Sequence, residues 1–429
     1  MREEEIQNLV SHLFRHEAGK MVAVLTRLLG FSSIDKAEDI VQDTLLKAIS
    51  VWRYKGIPEN PSAWLYTVAK RKAIDSIRQR KIHDSHQTRI NVSLQSEWTL
   101  SSTVHQSFGE NEIEDSQLRM IFACCHPAIP YDSQIALTLK TLCGLGINEI
   151  AYAFLTNDET ISKRIYRAKE KIREEKIDLD SPPPANIPGR LDAVLHALYL
   201  LFNEGYNSSH SDHLIRHDLC EDALRMCLLL INNKLTNAPN ARALLSLMCF
   251  QAARADARVN EDGSIVLLKD QDRRKWNTKL IGRAKYYLET AAEGDDLSEY
   301  HLEAAIAAIH ANAESFEKTD WKKIMQLYNA LSVVRPSPIV EMNKAIAEGY
   351  GNSFAAGLAS LKKIEGLDHN HLYHSAMGDF YVAIGDFTNA CLCYEQALRH
   401  TSSPAEKKLL EKKRQSLTER ASDNLISNK

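Results

Sequence analysis

Helix breakers are scarce in this chain. Its 429 residues hold only 17 glycines and 12 prolines, well under the share of about 12% that the two reach in an average protein, so long stretches are free to run as helix. No apolar run is long enough to span a bilayer. The opening MREEEIQNLVSHLFRHEAGK has no uninterrupted apolar core and carries three early glutamates, so it does not read as a secretory signal. Cysteine is sparse too. There are eight, most of them in apolar helical stretches (Cys143, Cys220, Cys227, Cys249), where they read as small buried hydrophobes of a reducing compartment and not as a disulfide scaffold. A cytoplasmic protein without a membrane partner is expected. The remainder is ordinary, with 44% hydrophobic and 25% charged residues, and about 150 residues per domain makes it a chain of two or three domains. The expected fold class is all-α.

A net charge of -3 conceals an uneven distribution. Residues 1–81 carry 14 Lys and Arg against 10 Asp and Glu, while residues 82–115 carry one Arg against six acids. Such a swing marks separate modules. Helical spacing runs from Ile6 to Gly30, then from Asp35 to Trp52 with Ala37, Val41, Leu45, Ala48 and Trp52 on one side, and then from Asn60-Pro61 to Arg80. Asn before Pro suits a helix start. These three helices make one module, 1–81. Residues 82–115 are polar and lack sustained periodicity, as a mobile linker would. Helices resume near Ser116 and end in a helix, a short turn and a second helix: INEIAYAF, LTNDE, TISKRIYRAKEKIRE. Thr156 and Glu159 have capping-box spacing and place the start of that last helix. Four prolines between Pro182 and Pro188 then set a boundary near residue 185.

Beyond it the pattern is helical again, apart from RVNEDGSIVLL, where Asp262-Gly263 between β-prone runs suggests a small hairpin. Near the end the sequence repeats. A shift of 34 superposes Gly351 on Gly385, Ala356 on Ala390 and Ala347 on Tyr381, and 34 is the tetratricopeptide period. Two to three copies are expected. The last is the clearest, with Met377-Gly378, Tyr381, Gly385, Phe387, Ala390, Tyr394 and Ala397, and a weaker one is centred on Trp321, Ile324, Tyr328 and Leu331.

Two basic helices carry the chemistry. In Ile161–Arg173, six basic residues stand against one acid, and Ile161, Ile165, Ala168 and Ile172 form a stripe that can pack one face. Ser162, Lys163, Tyr166 and Arg167 then point elsewhere, as in the second helix of a helix-turn-helix that enters the major groove. A solvated basic helix in a bundle is the plainer alternative. In Lys70–Lys81 the balance is again six to one, and Trp64 and Tyr66 precede Lys70, Arg71 and Arg78. Rings beside a cationic track suit single-stranded DNA, although Trp64 serves equally well as core. On the helix before it, Asp39 and Asp43 stand four apart with Gln42. Like charges at that spacing repel, and either a cationic partner or plain solvation accounts for them.

The runs AEDIVQDTLLKAISVW, ENPSAWLYTVAKRKAIDSIRQRK and INEIAYAFLTNDETISKRIYRAKEKIR, in that order, resemble regions 2 and 4 of the extracytoplasmic-function sigma factors of bacterial RNA polymerase. The family's Glu-Ile-Ala falls on Glu149, Ile150 and Ala151, its Thr-Val on Thr160 and Ile161, and its Arg-x-x-Arg-Ala on Arg164, Arg167 and Ala168. RLDAVLHALYLLFNEGYNSS, LIRHDLCEDALRMC, LLKDQDRRKW and PSPIVEMNKAIA resemble the subgroup with a large tetratricopeptide-like extension. The resemblance implies a non-enzymatic subunit without cofactor, whose partners are core RNA polymerase and promoter DNA. It puts Asp39, Gln42 and Asp43 on the polymerase clamp. Trp64, Tyr66, Lys70, Arg71 and Arg78 fall at the minus-ten element, and Thr160, Ser162, Lys163, Arg164, Tyr166 and Arg167 at the minus-thirty-five element. Region 4 spans 116–180. Residues 186–429 form a regulatory domain that docks on the first half or on another protein. Two positions depart from the pattern. Leu155 replaces the glycine of the turn, which predicts a looser or wider turn, and Ala69-Lys70-Arg71 replaces Ala-Arg-Asn.

Other classes fit less well. Cys124-Cys125-His126 and Cys391-x-Cys393 lack a second ligand pair at zinc spacing. Asn203-Glu204-Gly205-Tyr206 and Asp270-Gln271-Asp272-Arg273-Arg274 come with no nucleophile, base and orienter, so a loop or an internal interface suits them better. A helical-repeat scaffold with incidental basic helices is the remaining alternative.

Overall fold

The computed structural model describes residues 3–87, 97–180, 182–208, 214–293, 297–401 and 403–427. Among them the fold is all-α. In chain order the helices are α1 (Glu3–Leu29), α2 (Ile34–Lys55), α3 (Pro61–Gln87), α4 (Glu97–Gln106), α5 (Glu110–Cys124), α6 (Tyr131–Thr141), α7 (Ile147–Ala153), α8 (Asp158–Glu174), α9 (Ile187–Tyr206) and α10 (His217–Asn232). They continue with α11 (Pro239–Ala252), α12 (Thr278–Ala291), α13 (Glu299–Asn312), α14 (Trp321–Val334), α15 (Pro338–Gly351), α16 (Phe354–Leu361), α17 (His371–Ala383), α18 (Phe387–His400) and α19 (Pro404–Ser427). The hairpin expected around Asp262-Gly263 is a single antiparallel bridge between Val259 and Ile265. Among the described residues no helix is long and apolar enough to cross a membrane.

The chain divides into two compact units. The first holds Met1–Glu204 with Glu221–Thr236, the second Gly205–Cys220 with Asn237–Lys429. Residue 185, where the prolines suggested a boundary, lies inside the first unit. The prolines do interrupt the helix between Glu174 and Ile187, but a helix stop does not prevent the next helices from packing back on the same core. Arg190 donates to the Phe122 carbonyl at 3.0 Å, Tyr131 to Asp192 at 2.8 Å, and Arg225 to Gln117 at 3.0 Å.

At the centre of the first unit is α1. Met21, Val22, Ala23, Val24 and Leu25 are five consecutive buried residues, and a helix buried all round has neighbours on every side. Helices α2, α3 and α5 supply them. Gly19 lets the turn after α6 approach, since a Cβ there would stand 2.1 Å from the Leu142 carbonyl oxygen. Helix α8 packs on α6 and α7 through the stripe read from the sequence, with Ile161, Ile165, Ala168 and Ile172 all buried. Its cap is Asn157, one residue after Thr156, and the Asn157 side chain accepts from the Thr160 amide at 2.9 Å. Residues 82–115, read as a mobile linker, include the end of α3, all of α4 and the start of α5, while 88–96 lie outside the described residues. Val104 and Phe108 of this segment are buried.

In the second unit α13 packs chiefly on α11, while each helix from α14 to α19 packs mainly on its sequence neighbours, the way repeat arrays are built. Residues read for the last copy sit at the contacts: Ala390, Tyr394 and Ala397 are buried. Gly378 makes room for a ring, because a Cβ there would stand 2.5 Å from Tyr394.

Candidate functional site

Helix α2 presents one exposed face. Its opposite side buries Ala37, Ile40, Val41, Thr44, Ala48 and Trp52, which leaves Asp39, Gln42 and Asp43 exposed. Leu46 and Ile49 continue that face and are 64% and 51% exposed. Sequence reading missed these two. Their signal was available, because helical spacing from Asp39 and Asp43 puts Leu46 on the acidic side and Ile49 at its edge. Asp43 also meets Lys72 of α3, with 2.7 Å between Nζ and Oδ2.

On α3 the five residues read as DNA contacts fall on two sides. Trp64 is half-buried and meets the Trp52 ring edge-on at 5.5 Å. Arg71 and Arg78 share its side of the helix and are exposed, with Arg78 3.8 Å from Asp75. Tyr66 and Lys70 lie on the other side. The Tyr66 ring packs on Phe108 at 5.5 Å and its hydroxyl donates to Glu17. Burial, and then the Glu17 carboxylate, push that phenol well above its ordinary pKa. The Lys70 ammonium sits 5.3 Å above the Phe108 ring, and its pKa is lowered by burial. Neither Glu17 nor Phe108 was legible as a partner, because both are remote in sequence. The side chains of Arg80 and Lys81, the rest of the basic run, lie outside the described residues.

Helix α8 keeps four of its six expected residues together. Ser162, Lys163, Tyr166 and Arg167 form an exposed face, on which Lys163 pairs with Glu159 at 2.6 Å and Tyr166 donates to Glu170 at 2.9 Å. The other two are engaged internally. Thr160 gives its amide and hydroxyl to Asn157. Arg164 pairs with Asp132 at 2.8 Å and lies over the Phe154 ring at 5.2 Å, which ties α8 to α6 and to the turn. Leu155, at the turn's glycine position, adopts φ +51° and is 90% exposed. A looser turn was expected. The turn instead takes the left-handed backbone that glycine ordinarily provides, at a steric cost to leucine.

No group of three His, Cys, Asp or Glu side chains placed to hold a metal ion occurs among the described residues. The Cys124 and Cys125 thiols are buried beside Thr141 and Thr138, and burial pushes Cys125 up to about 12. The motifs at Tyr206 and Arg273 meet through a third residue. Arg254 donates to the Tyr206 hydroxyl at 3.1 Å and lies over the Trp276 ring, which Arg273 also covers at 4.5 Å. Arg273 donates to the carbonyls of His310 and Ala313 at the end of α13, and Arg258 to that of Tyr206 at the end of α9. Such arginines satisfy carbonyls that a helix end leaves open.

The helices α1 to α3 coincide with a match to the sigma-70 region 2 family, over residues 13–82. Residues 190–292 match a family of unknown function, DUF6596. Over 383 residues the chain is 33% identical to an uncharacterized protein of Rhizobium meliloti (strain 1021), covering 88% of each, and it belongs to the same family as that protein. It is 27% identical over 148 residues to the RNA polymerase sigma factor SigV of Bacillus subtilis (strain 168), covering 34% of this chain and 80% of that one. No solved structure matches.

Proposed function

We propose that this chain is a sigma factor of the extracytoplasmic-function type. It binds core RNA polymerase through α2 and directs promoter-specific initiation, with α3 at the minus-ten element and α8 at the minus-thirty-five element. Residues from about 186 onward, with a tetratricopeptide-like array, modulate that activity by docking on the first half or on another protein. The observation that carries the reading is the exposed face of α2, inside the sigma-70 region 2 match. Asp39, Gln42, Asp43, Leu46 and Ile49 combine carboxylates with solvent-facing apolar side chains that stay exposed among the described residues. Exposed apolar groups flanked by charge are the usual mark of a docking surface.

Co-elution of the purified chain with core RNA polymerase, beside Asp39→Lys with Asp43→Lys, tests this directly. Stable association that the double variant loses is the expected result. If neither chain associates, the helical-repeat scaffold becomes the better account.

A further inference from the structure

Two cavities adjoin in the second unit. The smaller, of about 270 Å³, lies between α14, α15 and residues 267–269, and the larger, of about 550 Å³, reaches on to α17, α18 and α19. Helical spacing builds the walls. Trp321, Ile324 and Tyr328 recur along one face of α14, and Asn343, Ile346 and Tyr350 along one face of α15, so both helices turn rings and polar groups into the same space. Lys269, Phe316, Trp321, Tyr350 and Asp379 line both cavities.

The shared wall is aromatic. Trp321 stacks on Tyr350 at 4.8 Å with 24° between the planes, and Phe316 meets these two rings edge-on at 5.0 and 5.1 Å. All three are half-buried, and rings so arranged accept one more planar ring, stacked or edge to face. The polar groups beside them are mostly donors with nothing to donate to. Among the described residues the Trp321 indole, the Asn343 side-chain amide, the Tyr328 hydroxyl and the Lys269 ammonium make no hydrogen bond or ion pair within the protein, and His310 Nδ1 is buried without a partner. Burial, and then Glu303, raise the Tyr328 pKa and keep its proton in place.

Asp379, the carboxylate on the shared wall, is already engaged. Lys413 donates to its two oxygens at 2.8 and 2.7 Å, and Tyr394 donates to one of them at 2.7 Å. Charge points the same way. Arg254 and Arg273 stand close enough to His310 to join burial in holding it neutral, and Lys269 brings a further cation to both cavities, whereas Glu317 lines only the larger one and Asp270 neither. Free donors beside an unspent ammonium favour an anion. A protonated amine finds no free carboxylate on the shared wall.

We propose that these cavities bind a small planar aromatic carboxylate, whose ring packs on Phe316, Trp321 and Tyr350 and whose carboxylate takes Lys269 as counter-ion. The site belongs to the second unit and stands apart from the sigma reading. Only its use as an input to the modulation described above rests on that reading: an occupant wedged between α14, α15 and α17 favours the conformation of the array that holds it.

The test titrates indole-3-acetate and benzoate into the full chain and follows them by ligand-observed saturation-transfer NMR. Indole-3-ethanol and benzyl alcohol are the neutral controls with the same rings, tryptamine and benzylamine the cationic ones. At least one carboxylate should bind with a Kd below about 1 mM, and its alcohol and amine counterparts at least tenfold more weakly. Lys269→Met, at an exposed side chain, should weaken the carboxylate about fivefold and leave the alcohol unchanged, and Lys269→Arg should restore it. Absence of binding by both carboxylates overturns the proposal. So does equal or tighter binding of the alcohol or the amine, or carboxylate binding that Lys269→Met leaves intact. No polymerase is present in this experiment, so its failure leaves the sigma reading standing, and failure of polymerase co-elution leaves the site standing.

Discussion

Lys72 on α3 and Asp43 on α2 share an ion pair of 2.7 Å, which links the helix assigned to polymerase docking with the helix assigned to DNA. A cationic group on a partner that takes over Asp43 would release the Lys72 charge for phosphate. Both side chains are substantially exposed, so the pair itself is worth about 0–1 kcal/mol and the exchange is nearly neutral. On the proposed roles of the two helices, polymerase docking and DNA binding would be coupled weakly and locally.

Lys72→Ala should therefore leave the melting temperature almost unchanged. In holoenzyme bound to promoter DNA it should weaken binding evenly across sequences and reduce the slope of log affinity against log salt by about one. A salt titration with and without the substitution reads this, and equal slopes would put Lys72 off the phosphate track.

Leu46→Asp with Ile49→Asp addresses the part of the α2 face that charge alone does not explain. Each is more than half exposed, so stability should shift by no more than about 0.5 kcal/mol per site. Core polymerase binding should weaken at least tenfold, as expected for apolar anchors at an interface centre. Binding kept at full strength would restrict the docking surface to Asp39, Gln42 and Asp43.

Truncation exposes the role of α9 and α10. A chain ended at Ala185 loses Val194, Leu195, Leu198 and Leu230, all buried, and the brace formed by Arg190, Asp222 and Arg225. It should melt at a lower temperature and less cooperatively than a chain ended at Thr236. Identical thermal melts would mean that α9 and α10 add nothing to the first core, and would return the functional boundary to residue 185.

His310 sets a pH dependence in the second unit. Burial, and then the guanidinium groups of Arg254 and Arg273, push it down to about 4, whereas an unfolded histidine titrates near 6.5. Between those values the unfolded chain binds a proton that the folded chain refuses, so its contribution to stability is complete above about pH 6.5 and is lost as pH falls toward 4. His310→Gln should flatten the fall in melting temperature across that window. Parallel curves for the two chains would show that His310 is not held neutral.

Much of α8 was legible because one period governs it. Ile161, Ile165, Ala168 and Ile172 recur at helical spacing, and such a stripe has to be buried. The start of the helix was misplaced by one residue because Thr156 and Asn157 can both cap, and only backbone geometry chooses Asn157. Residues 97–108 escaped notice for a different reason. Their apolar content is too thin to show a period, and Phe108 is buried where it packs on the Tyr66 ring of α3. At Tyr66 the sequence correctly placed an aromatic beside a basic run. It could not show which side of α3 the ring occupies, since Glu17 lies 49 residues away.

The sequence by itself determined the all-α class, the buried stripe of α8, the charge of the two basic helices and the 34-residue spacing near the end, because each depends on residues within a turn or two, or on a fixed repeat. Tertiary structure alone decided that α9 and α10 pack with the first unit, that Phe108 covers Tyr66 and Lys70, and that Lys169 and Arg173 are spent on Asp35 and Glu38. These contacts join residues far apart in the chain. A periodic pattern states which face of a helix must be covered, and only the packed core determines what covers it.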